Sequence, residues 1–282
     1  MNVLITDKFH HKNEIGLKLL LNSINFNFKF GSTNDINEFD IIYSPNKPID
    51  SSQFPNKKFI FGPHFSVFPN NSLLSINNIN NNSIYIQPSK WAADTWINMN
   101  ATKYLPIKAF PFPVEIDKFC PNENSKKNEV FIYFKRRKPQ ELEFIKQFLN
   151  EKNITYKIFD YVERYNEEDY LKCLQNAKYG IIVDAHESQG FSIQEALSCN
   201  VPLLIWNVSF MSQEYGSNYL NIPCTNIAYW DERCGEYFYK IEDFETTYNN
   251  FINKLETYKP REYIIENLSP QKCGERFIEY IN

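Results

Sequence analysis

The stretch from Gly180 to Trp206 leaves few folds open to this chain. Gly180-Ile-Ile-Val-Asp184 is an apolar run of strand length, and Leu203-Leu-Ile-Trp206 is a second. Between them lie a loop and a helix, Glu187-Ser-Gln-Gly-Phe-Ser-Ile-Gln-Glu195, running on through Ala196-Leu-Ser-Cys-Asn-Val-Pro202. Such a strand-loop-helix-strand unit brings backbone N–H groups and two carboxylates, Glu187 and Glu195, to the carboxyl edge of a parallel sheet. That edge is where open α/β sheets bind their ligands.

The rest of the chain alternates in the same way, which points to α/β architecture. In the first half, strands are expected at 3–6, 25–30, 41–44, 59–62, 84–87 and 104–107. Helices are expected at 14–23 and 89–99, with Ser89 as N-cap, and 72–82 is an Asn-rich connection. Pro106, Pro111, Pro113 and Pro121 then crowd together ahead of the polar run Asn122–Asn128 and mark an interdomain linker. The second half has expected strands at 130–134, 155–159, 180–184 and 203–206. Its helices are expected at 140–152, 167–176, 241–256, 260–267 and 270–280, and 207–236 is expected to be loop. The domain reading is therefore 1–115 and 116–282, with a short first domain and a cleft between the two.

The bulk numbers exclude several classes. With 43% apolar and 23% charged residues the chain is a folded protein, and a net charge of −4 argues against a general nucleic-acid binder. No apolar run approaches the roughly 20 residues that span a bilayer. The start, Met1-Asn-Val-Leu-Ile-Thr6, reads as a strand and lacks the features of a signal peptide. Six scattered cysteines without a C-x-x-C pair fit reduced thiols in the cytoplasm, and the four histidines show no metal-ligand spacing. No metal site and no cofactor are expected.

Several side chains are placed to do chemistry. Ser192 and Glu195 have capping-box spacing, which by itself explains both. Alternatively, the two oxygens of Glu195 match a vicinal diol, and Glu187, further out on the loop, faces a sugar. Gln189-Gly190-Phe191-Ser192 offers N–H donors at a positive helix end, and Gly190 carries no Cβ to obstruct a diphosphate. Lys135-Arg136-Arg137-Lys138 follows the strand at 130–134 and is either a solvated turn or a diphosphate clamp. Lys135 and Arg137 share one side if the strand continues, and these two are favoured. Taken by itself, Tyr161 is a surface tyrosine in a Tyr-rich chain. Gly62-Pro-His64 follows a strand of the first domain, and His64 is either structural or turned toward the cleft; His186 is the next choice, then His10 and His11. Asn200 and Pro202 end the helix near Cys199. Ala228-Tyr-Trp-Asp-Glu-Arg-Cys-Gly235, dense in aromatic and charged groups, either packs or shapes a pocket.

These stretches together resemble retaining GT-B glycosyltransferases of the GT4 type. The E-x7-E spacing of Glu187 and Glu195 followed by Ala-Leu-Ser-Cys-Asn-Val-Pro carries most of the resemblance. Pro88-Ser-Lys-Trp91, the linker Pro111-Phe-Pro-Val-Glu-Ile-Asp-Lys-Phe-Cys-Pro121, Phe134-Lys-Arg-Arg137 and Asn166-Glu-Glu-Asp-Tyr-Leu171 add to it. The match covers most of 85–210. It departs where the family has a Gly-rich loop after the first strand, since Asp7-Lys-Phe-His-His-Lys12 stands there, and where the linker reads Pro113-Val-Glu115.

The resemblance implies two Rossmann-like domains facing a central cleft, an acceptor-side domain at 1–115 and a donor-side domain at 116–282, with the last helix packing back on the first. It implies a nucleotide-diphosphate-sugar donor, a glycan or other hydroxyl acceptor, retention, and no metal. By it Glu195 binds the ribose, Glu187 the donor sugar, Gly190, Phe191 and Ser192 the phosphates, Lys135 and Arg137 the diphosphate, Tyr161 the base, and His64 the reacting centre. A nucleotide-sugar epimerase and a non-catalytic binding protein on the same fold are the alternatives.

Overall fold

The computed structural model describes residues 1–46, 48–64, 67–69 and 78–281, so the part of the Asn-rich connection at 72–77 lies outside the described residues. The chain forms two compact units, one of Met1–Pro113 with the segment from Leu268 onward, the other of Val114–Asn267.

The first unit is built on six strands: β1 (Asn2–Ile5), β2 (Asn27–Phe30), β3 (Ile41–Ser44), β4 (Lys58–Phe61), β5 (Ser83–Gln87) and β6 (Ile107–Ala109). They form a parallel sheet in the order β2-β1-β3-β4-β5-β6. Strands such as Ile41-Ile-Tyr-Ser44 are apolar on both faces and buried throughout, as a covered parallel sheet requires. Helices α1 (His11–Ser23) and α2 (Lys90–Asn98) belong to this unit. Ser89 occupies the N-cap of α2, but its hydroxyl makes no capping bond. The strand expected at 104–107 begins only at Ile107. Residues Ala101–Lys103 form a 3-10 turn, and Pro106 contributes its carbonyl to Tyr85 N–H but has no N–H of its own.

The second unit has five parallel strands, β7 (Glu129–Lys135), β8 (Lys157–Asp160), β9 (Ala177–Asp184), β10 (Leu203–Trp206) and β11 (Gly235–Phe238), ordered β11-β10-β9-β7-β8. Helices α3 (Pro139–Glu151), α4 (Glu167–Asn176), α5 (Phe191–Ser198), α6 (Phe244–Asn253) and α7 (Pro260–Leu268) follow in chain order. Gly180 permits the central crossing, because a Cβ there would lie 2.3 Å from the Phe131 ring. The strand β11 lies where the expected loop over 207–236 ends. Gly235-Glu-Tyr-Phe238 lacks an apolar run, and it is recruited by pairing with β10. The single helix expected over 241–256 is α6 flanked by 3-10 turns at Ile241–Asp243 and Leu255–Thr257.

The Pro-rich segment is anchored on both sides of the boundary. Phe110 and Phe112 are buried in the first unit, and Val114 and Phe119 in the second. There the Arg261 guanidinium donates to the carbonyls of Ile116, Phe119 and Ser198. The closing helix, α8 (Pro270–Ile281), packs on α1 in the first unit. Ser23 Oγ donates to Pro270 O at 2.9 Å, Tyr280 OH donates to Ala109 O at 2.6 Å, and Phe277 meets Phe26 edge-on. All six cysteines are free thiols. Among the described residues no helix is long and apolar enough to cross a membrane.

Candidate functional site

The register of the second sheet brings its charged residues together. Lys135, the last residue of β7, pairs with Asp184, the last of β9. The Lys135 ammonium donates to Glu187 Oε1 and sits 4.6 Å from the centre of the Tyr161 ring. Tyr161 follows β8, where its N–H donates to Phe134 O, and its ring is 45% exposed. Asp184 is wholly buried, and its Oδ1 accepts the Ala185 N–H at 2.6 Å.

The electrostatics of these three groups follow from burial and proximity. Burial, reinforced by the charge of Glu187, pushes the Asp184 carboxyl well above the usual carboxylate range despite the nearby Lys135. For Glu187 burial pulls the same way, but the Lys135 ammonium and the hydrogen bonds from Asp184 and Lys135 outweigh it and hold Glu187 below its ordinary value. Lys135 is raised, its burial outweighed by the two acids. Of the two acids, Asp184 is the one whose protonated form burial favours, and Glu187 the one paired with the Lys135 ammonium. Asp184 is a site residue that sequence reasoning passed over. It was visible only as an acid closing an apolar strand.

The loop after β9 carries Glu187 into place, with its N–H donating to Thr225 O. Gly190, not Ser192, is the N-cap of α5, and it sits at φ 79° in the left-handed region that favours glycine. Ser192 is therefore inside the helix and cannot exchange bonds with Glu195 as a capping box does. The helix entrance is closed instead by two amides: Gln189 Nε2 donates to Gln194 Oε1 at 3.0 Å, and Gln194 Nε2 donates to Gln189 O. The capping-box explanation of Glu195 is thereby removed; it is a carboxylate only 3% exposed in the second turn of α5. Phe191 opens the helix, and Ser192 O accepts from Tyr170 OH at 2.9 Å. The helix closes as expected, with Cys199 as C-cap and Asn200 at φ 58°.

Arg137 is the clearest departure from expectation. The strand ends at Lys135 and the backbone turns at Arg136, φ 51°, so Lys135 and Arg137 do not alternate on one side. The Arg137 guanidinium is 3% exposed and grips Glu141 with two N–H groups. Its Nη1 donates to Asp184 O at 3.1 Å and Trp206 O at 3.2 Å. The Asn226 amide reaches the same two carbonyls. Arg137 thus fastens β9 to β10, and four of an arginine's five N–H donors are spent on the protein. Arg136 reaches Glu214 at 3.2 Å, and Glu214 also lies 2.9 Å from His186 Nε2. Burial lowers the His186 pKa, against the pull of Glu214.

His64 belongs to the first unit, after β4. Its N–H donates to Tyr85 OH at 3.3 Å, and its ring packs 5.5 Å from Trp96. Burial lowers its pKa, so it is neutral near pH 7. His10 and His11 lie tilted against each other at the start of α1, with ring centres 4.8 Å apart. The aromatic segment 228–235 leads to Gly235 at the amino end of β11, away from the strand ends that gather Lys135, Asp184 and Glu187. Among the described residues no group of three His, Cys, Asp or Glu side chains is placed to hold a metal ion.

By sequence, no family model and no curated protein matches the chain. By structure it is similar to sucrose-phosphate synthase from Thermosynechococcus elongatus, at 10% identity and a TM-score of 0.59, over 99% of this chain and 97% of that one. It is similar to the N-terminal domain of trehalose-6-phosphate phosphatase from Candida albicans, at 13% identity and a TM-score of 0.57, covering 88% and 72%. The catalytic domain of Starch Synthase IV from Arabidopsis thaliana, bound to ADP and acarbose, matches at 9% identity and a TM-score of 0.52, covering 95% and 75%. With its two parallel α/β sheets of six and five strands, the chain has a GT-B-like fold.

Proposed function

We propose that the protein transfers a sugar from a nucleotide-diphosphate-sugar to an acceptor hydroxyl, with retention and without a metal ion. The observation that carries this reading is the Lys135–Glu187 ion pair over a buried Asp184, one short loop from the glycine-capped start of α5. A cation and helix-end N–H groups suit a diphosphate leaving group, and a carboxylate held beside them suits sugar hydroxyls.

In this reading Lys135 and the N–H groups of Gly190, Phe191 and Ser192 take the diphosphate, and Glu187 takes donor-sugar hydroxyls. Glu195 accepts from the ribose diol and Tyr161 stacks on the base. Arg137 acts behind them by fixing the strand ends. The bond from the anomeric carbon to the phosphate oxygen breaks while the acceptor oxygen bonds to that carbon from the same face. The acceptor proton passes to a phosphate oxygen, so no protein nucleophile is needed. The first unit is the acceptor side and the second the donor side, and His64 is the first unit's candidate catalytic residue. The starch synthase structure, bound to ADP and acarbose, is consistent with a nucleotide on this fold.

The test is donor turnover followed by NMR with and without a hydroxyl acceptor. Acceptor-dependent turnover with retained anomeric configuration is expected. Acceptor-independent conversion of the donor sugar would make the protein an epimerase, and binding without turnover would make it a non-catalytic binder. An inverted product would exclude same-face attack.

A further inference from the structure

The second unit has a cavity at the opposite end of its sheet from the acids described above. Because all five strands are parallel, Lys135 and Asp184 close β7 and β9 at the carboxyl end, whereas Gly235 opens β11 at the amino end, beside Leu203. An open cavity of about 780 Å³ lies there, lined by Trp230, Tyr237 and Tyr258 together with Asp231, Glu232, Arg233, Glu236 and Lys254. That volume is in the range of a small-molecule site.

The chemistry of the lining narrows the ligand. Its two cations are already neutralised by the protein: Arg233 is clamped by Asp231 and Glu266, and Lys254 is 2.9 Å from Glu236. Three acids against two bases disfavour a phosphate or any other anion. What remains is aromatic surface and oriented acceptors. Tyr237 is 44% exposed, and Tyr258 is fixed by stacking on Phe251 with ring centres 5.4 Å apart. Tyr258 OH and Lys254 Nζ both hold Oε1 of Glu236, which orients the carboxylate and leaves Oε2 without a hydrogen bond among the described residues. Flat apolar rings beside a fixed carboxylate oxygen match a pyranose, which offers an apolar C–H face and hydroxyl donors.

We infer that this cavity is a second carbohydrate site, taking a neutral sugar unit of an oligosaccharide on Trp230 and Tyr237, with its hydroxyls donating to Glu236. The site stands independently of the transferase reading, since it neither shares residues with the Lys135–Glu187 cluster nor needs a nucleotide.

Affinity electrophoresis of the full chain, in gels containing soluble starch, dextran, hydroxyethyl cellulose or glycol chitin, tests it without a donor. At least one polymer is expected to retard the protein, and Trp230→Ala and Tyr237→Ser are each expected to weaken that retardation at least fivefold. Tyr237 is exposed, so its variant separates ligand loss from misfolding, and Glu187→Ala is expected to migrate as the wild type does. Failure of all four polymers to retard the wild type overturns the inference. So does unchanged retardation of folded Tyr237→Ser, or retardation that disappears with a Glu187→Ala protein shown by thermal melting to be folded.

Discussion

The two sheets share one architecture but treat their carboxyl edges differently. In the first sheet the buried polar residues at the strand ends, among the described residues, are neutral: Ser44 closes β3, Gln87 closes β5, and Ser89 follows it. His64 nearby is held neutral by burial. In the second sheet the equivalent edge gathers Arg137, Asp184 and Glu195, all 3% exposed or less, with Lys135 and Glu187 beside them. A parallel sheet folds without buried charges, as the first one demonstrates, and burying them costs free energy unless each is paired. The charges of the second sheet are therefore not a requirement of the architecture.

The largest effect that would break this contrast is loss of the central cation. Lys135→Met leaves Glu187 buried next to Asp184 without its counter-charge and is expected to cost about 3–5 kcal/mol in urea unfolding, along with donor turnover. A near-neutral result would mean that the acids do not depend on Lys135. Arg137→Ala comes next, at about 3 kcal/mol, because the Asp184 and Trp206 carbonyls and Glu141 lose a shared buried donor. Its nucleotide affinity, measured calorimetrically on the folded fraction, is expected to stay within a few-fold of wild type. A large loss of affinity would return Arg137 to the phosphates.

The pH dependence sharpens the contrast further. Asp184 is raised in the folded protein, so between the ordinary carboxylate range and its raised value the native state holds a proton that the unfolded chain has released. Stability then falls as pH rises, by up to about 1.4 kcal/mol per pH unit for one proton. Glu187 is lowered and has the opposite sign, stabilising above its ordinary value and losing that contribution as pH drops through its folded value. In urea titrations from pH 5 to 8 the stability of wild type relative to Asp184→Asn is expected to decline with pH. Parallel curves would show that Asp184 is not protonated. The smallest effect belongs to the neutral sheet. Ser89→Ala removes a buried hydroxyl that caps nothing, and the change is expected within about 0.5 kcal/mol by thermal melting.

The strands and helices were legible where hydrophobic pattern and punctuation agreed. Ile41–Ser44, Glu167–Asn176 and Leu203–Trp206 fall at the bounds expected from the alternation of strand-like and helix-like segments. The strand β11 escaped because tertiary pairing, not its own sequence, makes it a strand. The failures at the site share one cause. Short-range spacing could not foresee a left-handed turn at Arg136 or a left-handed cap at Gly190. Those two backbone choices turned Arg137 inward and put Ser192 inside the helix. Asp184, Asn226 and Glu214 join the site only through strand register and loop return, which a linear pattern does not carry.

The donor role of the second sheet's edge is tested most directly by thermal shift of the protein against UDP, GDP, ADP and dTDP sugars. A donor at one hundred times its dissociation constant stabilises by about 2.7 kcal/mol, a readily measured rise in melting temperature. At least one donor is expected to raise the melting temperature of the wild type, and Glu187→Ala is expected to keep the shift from the bare nucleotide diphosphate while losing the increment due to its sugar. If no nucleotide shifts the wild type, or if the sugar increment survives in Glu187→Ala, the Lys135–Glu187 cluster is not a nucleotide-sugar site.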